Sequence, residues 1–147
     1  MQIKKIESRH LNELFNLSVS KFKNESWTIQ QFEDALKNNN YICYGVFEDD
    51  VLASYIIVLN SPDDLNILSI ATKDEFLNKG YATTLISQIV DMANNTKTIS
   101  LEVKEKNTEA YNLYTKLNFN VVAVRKNYYK DGSNALIMFY KFGNNIK

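Results

Sequence analysis

The sequence predicts a single α/β (or α+β) domain over residues 1–147, built from a mixed sheet covered by helices. Its length of 147 residues suits one domain with a sizeable core. Apolar residues make up 45% and aromatic residues 12%, a globular composition. Strand and helix patterns alternate as β-α-α-β-β-β-α-β-α-β-β, and the two later βα units among hairpins favour a mixed sheet.

The first third of the chain predicts one strand and two helices. Residues 2–6 have a short strand pattern, and apolar positions over 11–22 follow helical spacing. Thr28 and Gln31 have the spacing of a capping box that starts a second helix. This helix is predicted to end at 38–40 and to bury a stripe of Ile29, Phe32 and Leu36.

The middle of the chain predicts three strands in succession. Residues 41–47 and 51–59 are strand-like, and the acidic residues between them indicate a hairpin turn. A loop at 61–64 then leads into an apolar strand over 66–72.

The last part predicts two βα units and a closing hairpin. A helix opens at Gly80, with apolar residues at helical spacing, and a strand follows over 98–103. Asn107 is the predicted N-cap of a helix that ends near Asn118. Strands over 121–125 and 135–142 flank a turn at 131–133. One face of the capped helix is predicted to carry Ala110, Tyr114 and Leu117.

Composition argues against several function classes. Lys and Arg number 17 and so do Asp and Glu, a poor balance for non-specific nucleic-acid binding. Cys43 and His10 are the only residues of their types, which is too few for a disulfide or a Cys/His metal site. For that reason we expect no metal site. We also expect no signal peptide, no membrane span and a cytoplasmic location, because no long apolar run occurs.

Three features could carry chemistry, and each has a structural interpretation as well. Gly80 at a helix start could let backbone N–H groups bind a phosphate, or it could only make a turn. Glu102 alternates with apolar neighbours and could be a base in a cleft or a solvent-facing residue. Asn107 and Tyr114 could be a helix cap and a core aromatic, with or without a further role.

Taken together, these segments resemble the GNAT acetyltransferase superfamily. The matches are strong from residue 66 to 140 and looser before residue 60. Within the superfamily the chain is similar to the RimI-type enzymes, which acetylate the N-terminal alanine of a ribosomal protein. The motifs that carry the resemblance are Asn66 to Ala71, Lys79-Gly80-Tyr81-Ala82, Leu101-Glu102-Val103, Asn107, Leu113-Tyr114 and Phe119.

The resemblance implies how acetyl-CoA is bound. In this superfamily a mostly antiparallel sheet contains one parallel strand pair that splays apart, here 66–72 and 98–103, and the pantetheine arm lies between them. Asn107 would hold that arm, and helix-start amides would hold the pyrophosphate. The implied cofactor-binding residues are Ile70, Ala71, Thr72, Leu77, Asn78, Lys79, Gly80, Tyr81, Ala82, Asn107 and Tyr114.

The resemblance also implies catalytic and substrate-binding roles. Glu102 would be the general base that neutralises the attacking amine, and Tyr114 the general acid for the departing thiolate. A backbone N–H near Ile70 or Ala71 would stabilise the oxyanion. The acceptor, a protein or peptide N-terminus, would contact Trp27, Asn127, Tyr128 and Tyr129, although Trp27 could equally be a core aromatic.

Three functional hypotheses follow from the resemblance. The first is an acetyltransferase for the N-terminal α-amino group of a ribosomal protein, and the second is one for a small amine or a lysine side chain. Leu77 and Asn78 stand where the family usually has Gln or Arg and a second basic residue or glycine. This departure motivates the third hypothesis, a non-catalytic CoA-binding module, although binding through backbone amides requires no particular side chain.

Overall fold

The computed structural model describes residues 1–143, and its elements follow the predicted order. Three short 3-10 turns, at Ser8–His10, Lys23–Glu25 and Asp74–Phe76, lie between them. The strands and helices are β1 (Gln2–Lys5), α1 (Leu11–Phe22), α2 (Ile29–Lys37), β2 (Tyr41–Glu48), β3 (Val51–Asn60), β4 (Asp64–Thr72), α3 (Tyr81–Ala93), β5 (Thr98–Lys104), α4 (Thr108–Lys116), β6 (Phe119–Arg125) and β7 (Ala135–Tyr140).

The strands form one seven-stranded sheet in the order β1-β2-β3-β4-β5-β7-β6. Every neighbouring pair is antiparallel except β4 and β5, which are parallel. The predicted fold class, a mixed and mostly antiparallel sheet flanked by helices, is therefore confirmed. The parallel ladder joins Asp64–Ile67 to Thr98–Leu101 and extends no further within residues 1–143. Beyond it the two strands leave a space, called the strand gap below.

Local sequence signals act where they were predicted. The Thr28 hydroxyl oxygen accepts a hydrogen bond from the Gln31 backbone N–H, and the Gln31 side-chain oxygen accepts one from the Thr28 backbone N–H. The predicted capping box is therefore confirmed. Asp49 and Asp50 both have positive φ, which gives the β2–β3 hairpin the twist of a primed turn. Asn118 ends α4 with φ of 75°.

The predicted stripe of α2 is wrong at one position. Phe32 is fully buried and Leu36 is partly buried, but Ile29 is 40% exposed. Ile29 is the first residue of α2, and at this position the helix does not yet pack against the sheet. Ala35 takes the buried place instead, since it lies three residues after Phe32 on the same face.

Two apolar clusters cover the two faces of the sheet. One joins α3 and α4 to the sheet through residues such as Leu85, Leu101 and Tyr114. The other joins α1 and α2 to it through Leu14, Phe32 and others. A fully buried large apolar side chain stabilises the fold by about 1.5–3 kcal/mol. The helices are therefore anchored on both faces, and the strand gap lies between them.

None of the helices in residues 1–143 combines the length and the apolar composition that crossing a membrane requires.

Candidate active site

A cleft of about 830 Å³ occupies the strand gap. Its walls come from β4, β5, the start of α3 and one face of α4. The connection between α1 and α2, residues 23–28, contributes a further wall and is called the first loop below. The cleft therefore passes through the sheet and is lined from both faces.

The backbone of β4 presents unpaired groups to this cleft. Leu68 is bulged out of the β3–β4 ladder, because Ile57 pairs with Ser69 while Val58 pairs with Ile67. The Lys73 amide donates to the Ala53 carbonyl of β3. Polar groups alternate along a strand, so Ala71 also faces β3, while the N–H and C=O groups of Ile70 and Thr72 face the strand gap.

The start of α3 forms the second wall. Gly80 precedes the helix with φ of 79°, a conformation that glycine adopts without strain. The first N–H groups of a helix have no partner within it and carry partial positive charge, so they suit a phosphate. Leu77, Asn78 and Ala82 line the cleft beside Gly80. These features fit the pyrophosphate of a CoA group without requiring a basic side chain.

Two neighbours of Gly80 contribute differently. The Tyr81 hydroxyl donates to the Glu48 carboxylate and its ring is buried, so its backbone is the part available to a ligand. That hydrogen bond is the largest cause of a raised Tyr81 pKa. Lys79 is exposed and lies outside the residues that line the cleft.

Restoring a basic side chain at position 77 should strengthen CoA binding. Leu77 is 41% exposed at the cleft, so an arginine there has room to reach a phosphate oxygen. We expect Leu77→Arg to lower the acetyl-CoA Kd roughly fivefold at low salt, through charge-assisted hydrogen bonds in a solvated place. Isothermal titration calorimetry with acetyl-CoA at low and high salt checks this, and Leu77→Met is the uncharged control. An unchanged Kd would mean that the phosphates bind elsewhere.

Glu102 lies on β5 at the edge of the cleft. Its neighbours Leu101 and Val103 are buried in the core cluster under α3 and α4, so alternation places Glu102 on the α1/α2 face. Its carboxylate is exposed enough to meet solvent and a ligand. The structure thus brings it to the cleft, as the general-base prediction requires.

Tyr114 reaches the cleft from the other side. It lies on α4, is 8% exposed and packs its ring at 5.9 Å from that of Phe119. Burial, followed by the charge of the nearby Tyr55, raises the pKa of Tyr114 to about 12. The phenol therefore keeps its proton at neutral pH, which is the state that a general acid needs.

Asn107 caps α4 and lines the cleft at the same time. Its side-chain oxygen accepts from the Ala110 amide at 3.1 Å, as the N-cap prediction required. Because that oxygen is occupied, the amide NH₂ group is the part of Asn107 that remains to donate to a ligand carbonyl.

The proposed acceptor residues are divided between cleft and surface. Trp27 and Tyr129 line the cleft. Trp27 also packs against Phe32 at 5.2 Å between ring centroids, as a core aromatic does, and its contact with the acceptor stays a prediction. Asn127 and Tyr128 lie outside the cleft lining, and Tyr128 stacks under the Arg125 guanidinium.

Lys104 connects the two loops that flank the acceptor side. Its Nζ lies 2.9 Å from the Glu25 carboxylate of the first loop and 3.4 Å from that of Asp131. Asp131 belongs to the β6–β7 connection, residues 126–134, called the second loop below. Nζ also lies 5.1 Å from the centre of the Tyr129 ring. The Glu25 hydrogen bond is the largest cause of a raised Lys104 pKa, so the ammonium stays charged.

Removing this ammonium should loosen both loops. We expect Lys104→Met to raise the KM for an acceptor peptide roughly 5- to 10-fold, because loop ordering must then occur on binding. The acetyl-CoA Kd should stay unchanged. Steady-state kinetics with each substrate varied in turn checks this, with Lys106→Met as the exposed control. An equal weakening of peptide binding and acetyl-CoA binding would instead indicate that the substitution destabilises the whole fold.

Several cleft residues were not predicted from the sequence. Lys104 follows Glu102 by two positions, and period-2 alternation along β5 places it on the same face. Glu25 carried no signal, because a distant ion pair depends on the assembled sheet. Leu68 and Ser69 lie within the Asn66 to Ala71 motif of the resemblance, but the bulge at Leu68 could not be predicted because it exists only against β3.

The class of protein that this fold and cleft define is an acyltransferase that takes its acyl group from coenzyme A. The chain matches the Acetyltransferase (GNAT) family over residues 9–119, and it belongs to that family. It is therefore an acetyl-CoA-dependent N-acetyltransferase, as the resemblance implied.

Two curated relatives and one solved structure illustrate the family. A Bacillus subtilis (strain 168) protein, provisionally named ribosomal protein bS18-alanine N-acetyltransferase, is 32% identical over 141 residues, covering 93% of each chain. The Haemophilus ducreyi ribosomal protein bS18-alanine N-acetyltransferase is 30% identical, covering 92% of this chain and 97% of the relative. The crystal structure of the Escherichia coli ribosomal-protein-S18-alanine N-acetyltransferase shares the fold, with a TM-score of 0.83 and 23% identity, covering 99% of this chain and 98% of that chain.

Proposed function

We propose that residues 1–147 form one N-acetyltransferase domain that acetylates the N-terminal α-amino group of a small-subunit ribosomal protein beginning with Ala. The relatives named for this reaction align over more than nine-tenths of the chain. The observation that carries the proposal is the strand gap itself. It joins a carboxylate on one face of the sheet, Glu102, to a protonated phenol on the other, Tyr114.

In this proposal the cleft holds acetyl-CoA on the α3/α4 side. The amides that follow Leu77, in residues 78–82, bind the pyrophosphate, because the Leu77 amide already donates to the Asp74 carbonyl. The backbone groups of Ile70 and Thr72 bind the pantetheine arm as a neighbouring strand would. The Asn107 NH₂ group donates to a carbonyl of the arm. Bound in this way, acetyl-CoA supplies an acetyl thioester within the strand gap.

Side chains of the cleft then carry out the proton transfers that the reaction requires. An α-amino group has a pKa of about 7.7–8.0, so most of it is protonated at neutral pH. The Glu102 carboxylate accepts a proton from it, directly or through a water, and leaves a nucleophilic amine. The Ile70 N–H donates to the acetyl oxygen as negative charge develops there. The Tyr114 hydroxyl gives its proton to the sulfur as the C–S bond breaks, and the second proton that the nitrogen loses on becoming an amide restores the Tyr114 phenol.

The acceptor side of the cleft favours a peptide over a small amine. Trp27 of the first loop and Tyr129 of the second loop face a common groove, and Lys104 connects the two loops between them. Two loops that flank a groove can contact the N-terminal residues of a bound peptide from opposite sides. The alternative acceptors are a small-molecule amine and a lysine side chain, which meet the same Glu102.

An acceptor panel tests this proposal. Purified protein and acetyl-CoA are incubated with an Ala-initiated hexapeptide, an N-terminally blocked peptide containing one lysine, and a small diamine. We expect kcat/KM to be highest for the free Ala terminus. Preference for lysine or the diamine would move the function to the second hypothesis. Acetyl-CoA binding without turnover, unchanged in Glu102→Gln, would support a non-catalytic module.

We also propose a cytoplasmic location, because ribosomal proteins are made and assembled there. Fractionation of cells that express the protein at native level should recover it with the cytoplasmic fraction, and recovery elsewhere would contradict the proposed acceptor.

A further inference from the structure

A lysine of α1 reaches the connection that leads from β4 to α3. Lys21 lies in the last turn of α1, and its Nζ donates a hydrogen bond to the Asp74 carboxylate. Asp74 opens the 3-10 turn Asp74–Phe76, and its carbonyl oxygen accepts from the Leu77 amide at 3.3 Å. The Lys21 ammonium is therefore held within one turn of chain of position 77, where the family usually has Gln or Arg.

Lys21 also lines the cleft, as Leu77 does. Within residues 1–143 the cleft lining has two basic side chains, those of Lys21 and Lys104. Lys104 is bound on the acceptor side by a carboxylate of each flanking loop. An anion in this cleft meets three carboxylates as well, those of Glu25, Glu102 and Glu109. Lys21 is thus the cation of the described cleft lining that remains for an anionic ligand.

The Lys21 ammonium has donors to spare. A lysine ammonium carries three N–H donors, and in the described part of the chain a single side-chain hydrogen bond, the one to Asp74, uses one of them. The side chain of Lys21 is 23% exposed and that of Asp74 is 78% exposed. An ion pair this open to water contributes little to stability, because water competes for both charges. The ammonium can therefore turn toward a second anion at small cost.

The charge of Asp74 makes a nearby cation necessary for phosphate binding. The hydrogen bond from Lys21 is the largest cause of a lowered Asp74 pKa, so this carboxyl group is ionised at neutral pH. A phosphate that binds at the start of α3 would be repelled by this carboxylate across the 3-10 turn. An ammonium placed between the two anions offsets that repulsion.

We propose that Lys21 is a cofactor-binding residue whose ammonium donates to a pyrophosphate oxygen of acetyl-CoA, in place of the basic side chain that position 77 lacks. This inference rests on the proposed function, which places the pyrophosphate at the amides of residues 78–82. The contact joins α1, on one face of the sheet, to a ligand held by α3 on the other. It is possible because the cleft passes through the sheet and Lys21 lines it.

Ligands that differ in their phosphates test the inference without turnover. Kd values are measured by NMR titration for acetyl-CoA, for acetyl-dephospho-CoA, which lacks the 3′-phosphate, and for acetylpantetheine, which lacks every phosphate. We expect Lys21→Met to weaken binding of the first two ligands roughly 5- to 10-fold at low salt, the scale of a charge-assisted hydrogen bond in a partly solvated place. Acetylpantetheine should bind as to the wild-type protein, which also shows that the cleft is intact. Lys21→Arg should retain the wild-type values.

A rescue and a matched control locate the contact. Leu77→Arg placed in the Lys21→Met background should recover most of the lost affinity, because both side chains would serve the same phosphate. Lys23→Met is the control, since it removes an equal charge from an exposed lysine that also acts on Asp74 but lies outside the residues that line the cleft. We expect it to change the acetyl-CoA Kd by less than about twofold, because solvent and salt screen an exposed charge.

The outcomes distinguish this inference from the proposed function. An unchanged acetyl-CoA Kd in Lys21→Met, or an equal loss for acetyl-CoA and acetylpantetheine, would overturn the inference and leave acetyl transfer to an α-amine standing. A loss for acetyl-CoA that acetyl-dephospho-CoA does not show would also overturn it, because the contact would then be to the 3′-phosphate. A loss shared by both phosphate-bearing ligands would support the role of Lys21 even if the peptide panel showed a different acceptor.

Discussion

Glu102→Gln should lower kcat for the Ala-initiated peptide about 100- to 1,000-fold at pH 7. The substitution keeps the shape of the side chain but removes the group that accepts a proton, and general-base catalysis is worth factors of this size. Glu102 is exposed on β5, so the fold should be unaffected. Initial rates of thiol release under saturating substrates measure the effect.

The pH dependence of this loss identifies the role. An α-amino group is mostly neutral above about pH 9, because its pKa is about 7.7–8.0. The deficit of Glu102→Gln should therefore shrink as the pH rises, since the amine no longer requires a base. Glu105→Gln, two positions beyond the cleft-lining Val103, is the matched control. A deficit that stays constant across pH would mean that Glu102 acts by some means other than removing this proton.

Tyr114→Phe should lower kcat by a similar factor, about 100-fold or more, with the acetyl-CoA Kd nearly unchanged. The ring packs against Phe119 and is retained, so the loss is that of the proton donor. Calorimetric titration of acetyl-CoA and single-turnover rates separate binding from chemistry. Tyr140→Phe serves as the control for removing a tyrosine hydroxyl elsewhere.

The wild-type pH profile provides an independent check on this tyrosine. Its pKa of about 12 means that the phenol keeps its proton up to about pH 10. Activity should therefore rise with pH as the amine loses its proton, and no decline from Tyr114 should appear below pH 10. A fall in kcat near pH 9 that is absent in Tyr114→Phe would contradict the raised pKa.

The fold was largely predictable because its signals are local. The capping box at Thr28, the helix start at Gly80 and the N-cap at Asn107 each depend on residues within one turn of chain, and each was confirmed. Ile29 was the exception. Its helical spacing matched a buried stripe, but spacing cannot show that the first residue of a helix stands clear of the sheet.

The site was predictable only in part, because clefts are made by tertiary geometry. Glu102 and Tyr114 were assigned by family resemblance, and the structure brings both to the cleft. The ion pair between Lys104 and Glu25 joins residues 79 positions apart. The bulge at Leu68 exists only against β3. Neither leaves a periodic trace in the sequence.

The most direct test of the central claim is the mass of an Ala-initiated hexapeptide after incubation with the protein and acetyl-CoA, measured alongside thiol release. We predict a gain of one acetyl group, located on the N-terminal nitrogen by fragmentation, with one thiol released per acetyl group transferred. The same peptide with a blocked terminus should stay unmodified. Acetylation of the blocked peptide, or none of the free one while acetyl-CoA still binds, would contradict the claim that the cleft acetylates an α-amine.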